Sequence, residues 1–70
     1  MAIAPPCQCP VCSAELRCHS EATATEFEEW EYDCGAIIQR EDNGMFFAYA
    51  PCREAMREAV DLLNMRAKAA

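Results

Sequence analysis

Seventy residues with a formal charge of -6 make one small domain, too short for a large core and too acidic for a phosphate-binding surface. No run approaches the roughly 18 apolar residues of a membrane span. Six cysteines in so short a chain are the strongest compositional signal, and they read either as metal ligands or as three disulfides.

The opening Met1-Ala2-Ile3-Ala4-Pro5-Pro6 has no basic region and no apolar run, so no signal peptide is expected. Residues 1–6 read as a loose extended arm. A cytoplasmic location follows as an expectation, and a reducing cytoplasm disfavours disulfides and leaves thiols free for metal.

The arm leads into a knuckle at 7–13, the start of a single zinc-binding domain over 7–70. Cys9-Pro10-Val11-Cys12 sets two thiolates on one side of a tight loop, close enough to share one ion at about 2.3 Å each. Two cysteines answer from downstream. Cys34 sits where a strand ends before Gly35, and Cys52 follows Pro51 at the expected start of a helix, where the unpaired N–H groups favour thiolate over thiol. The spacing is C-x2-C-x21-C-x17-C. Four thiolates close the coordination sphere of Zn2+, which predicts one structural zinc on Cys9, Cys12, Cys34 and Cys52 rather than a catalytic one. Cys7, Cys18 and His19 stand as alternative ligands, although Cys18 reads rather as a small core hydrophobe.

A strand is expected over about 14–19, with Ala14, Leu16 and Cys18 on one face. Residues 20–25 are small and polar and read as a loop. The strand over about 26–33 puts Trp30, Tyr32 and Cys34 on one face and Glu29, Glu31 and Asp33 on the other. Phe27 is out of phase with Trp30, which implies a bulge near Glu28-Glu29 or a place for Phe27 on the opposite side. Glu26, Glu28, Glu29, Glu31 and Asp33 form an acidic stripe. Like charges along a strand repel, whereas plain solvation is served by mixed signs, so the stripe reads as a surface for a basic partner as readily as a solvated face.

Residues 36–41 and 45–50 make a hairpin around Asp42-Asn43-Gly44. Of the adjacent Phe46 and Phe47, one must face away from the core, and Phe47 is the candidate contact residue. The helix over about 51–67 buries Cys52, Met56, Ala59, Val60, Leu63 and Ala67 on one side. Leu62 and Met65 fall outside that stripe and would serve a docking partner or a homodimer.

The set Cys9-Pro10-Val11-Cys12, Tyr32-Asp33-Cys34-Gly35-Ala36 and Pro51-Cys52 before a helix resembles the small zinc-ribbon or treble-clef proteins of bacteriophages and prophages. That group includes the restriction-alleviation family, whose members carry C-P-x-C-G and C-x-x-C-G-A knuckles. The resemblance covers about residues 9–60. Ser13 stands in the place of the first knuckle's glycine and Glu31 in that of a cysteine in the second, so Cys52 has to complete the set. The resemblance implies a phage-type accessory protein acting in a bacterial cytoplasm.

The expected fold is α+β, a zinc-stapled antiparallel sheet with one C-terminal helix. The expected function is stoichiometric binding to a host protein with a basic surface, of the anti-restriction or anti-CRISPR kind. The alternatives are a structural subunit of a larger assembly, or a nucleic-acid-binding zinc finger in which Trp30, Tyr32 and Phe47 stack on bases. The charge speaks against the last: the six basic residues form no cluster free of acids. No enzyme motif is present, and the single histidine has no evident catalytic partner.

Overall fold

Consecutive strands joined by short connections favour antiparallel pairing with their sequence neighbours, and this chain forms such a meander. The computed structural model describes residues 4–69; residues 1–3 of the expected arm lie outside them. Strands β1 (Leu16–Ser20), β2 (Glu28–Tyr32), β3 (Ile37–Arg40) and β4 (Phe46–Ala50) form one antiparallel sheet in the order β1-β2-β3-β4, followed by helix α1 (Ala55–Ala69). The fold class is thus α+β with one C-terminal helix, as expected.

The turns explain the pairing. Asp42-Asn43-Gly44 joins β3 to β4: Gly44 N–H donates to Glu41 C=O at 2.9 Å, and Gly44 has φ 86°. The positive φ falls on Gly44 and not on Asn43, whose Oδ1 instead accepts from Met45 N–H at 2.9 Å. Between β2 and β3, Gly35 has φ 90° and its N–H donates to Tyr32 C=O at 2.9 Å.

One face of the sheet takes the helix. Trp30, Tyr32, Ile38 and Phe46 from the strands meet Met56, Val60 and Leu63 from α1, with Cys9 and Ala36 closing the cluster. The helical residues recur at i, i+4 and i+7, the spacing that carries one side of a helix. Phe46 points into this core and Phe47 to the other side.

The helix also guards a strand edge. The Asn64 carboxamide accepts from Phe46 N–H at 2.7 Å and donates to Phe46 C=O at 2.9 Å. A side chain here does the work of a fifth strand at that residue, which blunts an apolar edge that would otherwise invite another chain.

Four expectations need correction. The helix starts at Ala55, not near Pro51: residues 51–54 form a turn in which Met56 N–H donates to Arg53 C=O. Cys18 is exposed, because the β1–β2 register shifts between Leu16 and Cys18 and turns its side chain away from the core. The described part of the arm is not loose. Pro5 is buried, and the fully buried Tyr32 donates its hydroxyl to Pro6 C=O at 2.7 Å, since a buried phenol must find an acceptor. The acidic stripe is not one surface: Glu28 lies on the helix side of the sheet with Trp30, and Glu29 and Glu31 lie on the other.

Candidate metal centre and open sheet face

The topology gathers cysteines at one end of the sheet. The knuckle precedes β1, Cys34 sits in the β2–β3 turn, and Cys52 follows β4, so all three segments meet where those strands begin or end. The knuckle is itself a small antiparallel ribbon. Cys9 N–H donates to Ala14 C=O at 2.7 Å, Leu16 N–H to Cys7 C=O at 2.8 Å, and Ser13 N–H to Cys9 C=O at 2.9 Å. Ser13 adopts φ 64°, the left-handed region that glycine occupies without strain. The backbone therefore makes the turn that a knuckle glycine would make.

The Sγ atoms of Cys9, Cys12, Cys34 and Cys52 lie within 4.8 Å of one another, and those of Cys9 and Cys52 are 3.7 Å apart. A tetrahedral ion with sulfur at about 2.3 Å sets its ligands about 3.8 Å apart. A disulfide would bring them to about 2.05 Å, and all six cysteines are free thiols. The four sulfurs are thus spaced to hold one structural metal ion.

The electrostatics agree. Burial acts against ionisation of Cys9, but the N–H groups of Cys12 and Val11 and the thiols of Cys12 and Cys52 outweigh it and hold Cys9 at about 7. Cys52 goes the other way, pushed up to about 12 by burial and by Cys9 and Cys34 beside it. Cys34 is also raised, by burial first and by Cys12 and Cys9, against the pull of the Ala36 N–H. A pocket that favours the thiolate of Cys9 but resists those of Cys34 and Cys52 needs a divalent cation to ionise the set. The helix N-terminus expected to favour thiolate at Cys52 does not do so here, since α1 begins three residues later.

The alternative ligands lie elsewhere. Cys7 and Cys18 are exposed and outside the quartet. His19 stacks on Trp30 with ring centroids 4.9 Å apart, and its Nε2 is 2.7 Å from Glu28 Oε2. It does come within reach of Glu21 and Glu28 as a second donor group. That carboxylate, however, already holds Arg40, whose guanidinium lies 5.3 Å from the Trp30 ring and 5.5 Å from Phe46.

The face opposite the helix has a different character. Ser20, Glu29, Gln39 and Phe47 stand side by side across all four strands. Phe27 folds onto Phe47 edge to face at 5.9 Å, which settles its phase: it serves the side away from the core. Tyr49 is 63% exposed and Phe27 41%. A notch of about 300 Å³ is lined by Ser20, Thr25, Glu26, Phe27, Glu29, Gln39 and Tyr49. Gln39 Nε2 donates to Glu29 Oε1 at 2.7 Å. Among the described residues, Glu28 is the one carboxylate given a cationic partner.

The predicted contact residues therefore split. Glu26, Glu29, Glu31 and Phe47 belong to the open face, Glu28 to the helix side and Asp33 to the turn beside Cys34. Leu62 and Met65 are exposed on the helix, on the opposite side of the molecule from that face. Trp30 and Tyr32 are buried and unavailable for stacking on bases. Sequence reasoning missed Tyr49 and Gln39. Their signal was the alternation itself, since Tyr49 shares parity with Phe47.

No described helix is long and apolar enough to cross a membrane. Compared with known protein families, with curated proteins and with solved structures, the chain has no match in any of the three.

Proposed function

We propose that this chain is a non-catalytic, protein-binding module stapled by one structural Zn2+, and that it engages a host protein through a basic surface on that protein. The metal is zinc because four thiolates in tetrahedral spacing suit that ion and leave no open position for chemistry. With a C-P-x-C knuckle before β1 and a cysteine turn between β2 and β3, the arrangement is zinc-ribbon- or treble-clef-like. The target class follows from charge. A chain at -6, with four thiolates adding about two more negative charges to the ion they surround, complements the basic groove of a nucleic-acid-processing enzyme. An anti-restriction or anti-CRISPR inhibitor in a bacterial cytoplasm is the specific form, supported by the phage-like knuckle pattern.

One observation carries the reading: the face not covered by the helix holds exposed aromatic rings among carboxylates without cationic partners. Aromatic anchors within a charged rim are what a protein interface needs.

The test is binding of purified zinc-loaded protein to candidate restriction or CRISPR nucleases, with wild type compared against the Glu29→Lys, Glu31→Lys double variant. Salt-sensitive binding by wild type, lost in the double variant with zinc content unchanged, supports the reading. Unchanged binding by the charge-reversed protein would sink it. So would salt-sensitive, sub-micromolar binding of wild type to DNA or RNA in place of protein.

A further inference from the structure

The notch on the open face has a composition that selects one kind of side chain. Its walls include two aromatic rings, Phe27 and Tyr49; two carboxylates, Glu26 and Glu29; and the Gln39 carboxamide, with the Ser20 and Thr25 hydroxyls beside them. We propose that this notch is an arginine receptor: a single guanidinium from a basic segment of the partner seats in it. The proposal deepens the protein-binding reading above and rests on it for the identity of the donor.

Three features point to a guanidinium. The first is charge. Glu26 has no side-chain partner among the described residues, and Glu29 has only the neutral Gln39 amide on Oε1. A neutral ligand would leave both charges uncompensated.

The second is shape. A guanidinium is flat, with five N–H donors in one plane, and it stacks on aromatic rings. The residues lining the notch carry acceptors, namely the Glu26 carboxylate, the second Glu29 oxygen, the Gln39 carbonyl oxygen and two hydroxyls, together with two aromatic rings. An ammonium concentrates its charge at one point and meets fewer of those acceptors.

The third is preorganisation. The Gln39–Glu29 bond ties β3 to β2 across the floor. The β1–β2 loop is braced by Thr23, whose Oγ1 accepts from Glu26 N–H at 3.0 Å and from Thr25 N–H at 3.3 Å, and whose N–H donates to Glu26 C=O at 2.9 Å. Phe27 is held by its edge-to-face contact with Phe47. Little ordering is left for the ligand to impose.

The same chemistry is present twice in the molecule. On the helix side, Arg40 lies over Trp30 and Phe46 while bonding Glu28. There the chain supplies its own arginine to an aromatic–carboxylate site. On the open face the aromatic–carboxylate site is built, and the arginine has to come from outside.

The experiment titrates zinc-loaded, isotopically labelled protein with the peptide acetyl-Gly-Ser-Arg-Ser-Gly-amide, followed by NMR. The controls are the same peptide with lysine and with citrulline, the neutral isostere of arginine. The expected result is saturable shifts at Phe27, Glu29, Tyr49 and the Gln39 side-chain amide, weaker with lysine and absent with citrulline. Tyr49→Ala and Glu29→Gln should each weaken the arginine peptide about fivefold or more, with zinc content and far-ultraviolet circular dichroism unchanged. Shifts that map elsewhere, or a citrulline peptide that binds as well, would overturn the receptor. The two claims fail separately. A nuclease that binds wild type and the Tyr49→Ala variant equally removes the notch and leaves the protein-binding reading, whereas saturable arginine binding with no protein partner does the reverse.

Discussion

The two sides of the sheet treat the same residue type in opposite ways. On the helix side, Glu28 meets His19 and Arg40 beside the edge-to-face rings of Trp30 and Phe46, and its carboxyl is held below its ordinary value. On the open side, Glu29 has a neutral amide and Glu31 has no side-chain partner among the described residues. All three are half-buried, and the difference lies in which face of the sheet they occupy. A carboxylate against a core must be paired or it costs folding energy, whereas one facing water can be left available. The helix side holds the core, and the open side keeps charge and aromatic area exposed to water.

The metal centre should give the largest effect of all. Structural zinc supplies roughly 10–16 kcal/mol of apparent binding energy in small fingers, against about 3–5 kcal/mol from a core of this size. Chelation should therefore abolish the far-ultraviolet signal, and the loss should be the same with either sheet face mutated. Retention of cooperative thermal unfolding after chelation would show that the helix-side core suffices alone.

Next comes the core itself. Met56 is fully buried, and Met56→Ala should cost about 2–4 kcal/mol in the zinc-loaded protein. Tyr49→Ala, on the open face, should stay within about 0.5 kcal/mol. Denaturant midpoints compare the two, and equal losses would erase the distinction between the faces. Asn64→Ala removes both bonds to Phe46 and should cost about 1–2 kcal/mol. It should also raise the tendency to self-associate, read by sedimentation, because the β4 edge is then uncovered.

Glutamate tests the contrast directly. Glu28→Gln should cost about 1 kcal/mol near neutral pH, and Glu29→Gln close to nothing. The pH dependence has a definite sign. Burial pushes the Glu28 carboxyl up, but His19 and Arg40 outweigh it, so its folded value lies below the ordinary 4.5. Its contribution is full above that ordinary value and fades as pH falls through the depressed one. The gap between wild type and Glu28→Gln should therefore close in acid, read from denaturant midpoints across pH.

The smallest effect belongs to Ser13. At φ 64° a side chain is strained, so Ser13→Gly should stabilise the zinc-loaded protein by about 0.5 kcal/mol, the relieved strain being partly offset by a more flexible unfolded chain. Thermal midpoints at fixed zinc would register it.

Legibility in the sequence followed the range of the physics. The clustering of Cys9, Cys12, Cys34 and Cys52 was readable because C-x-x-C fixes one pair and the other two cysteines flank turn-forming Gly35 and Pro51. The hairpin was readable from Asp42-Asn43-Gly44. The helix stripe of Met56, Val60 and Leu63 followed from periodicity. Three things were not local. The β1 bulge turns Cys18 outward, and nothing in Arg17-Cys18 announces it. The helix start moved to Ala55 because Cys52 is drawn to the other thiols and a turn intervenes. Glu28 shares the Trp30 face by alternation, but its pairing there depends on His19 and Arg40, far apart in sequence, being brought beside it by the sheet.

The most direct test of the staple is native mass spectrometry combined with alkylation of unprotected thiols on protein expressed without added metal. One zinc ion per chain, with Cys7 and Cys18 alkylated and Cys9, Cys12, Cys34 and Cys52 protected, is the predicted result. A metal-free folded chain with six reactive thiols, or one with its cysteines paired as disulfides, would contradict it.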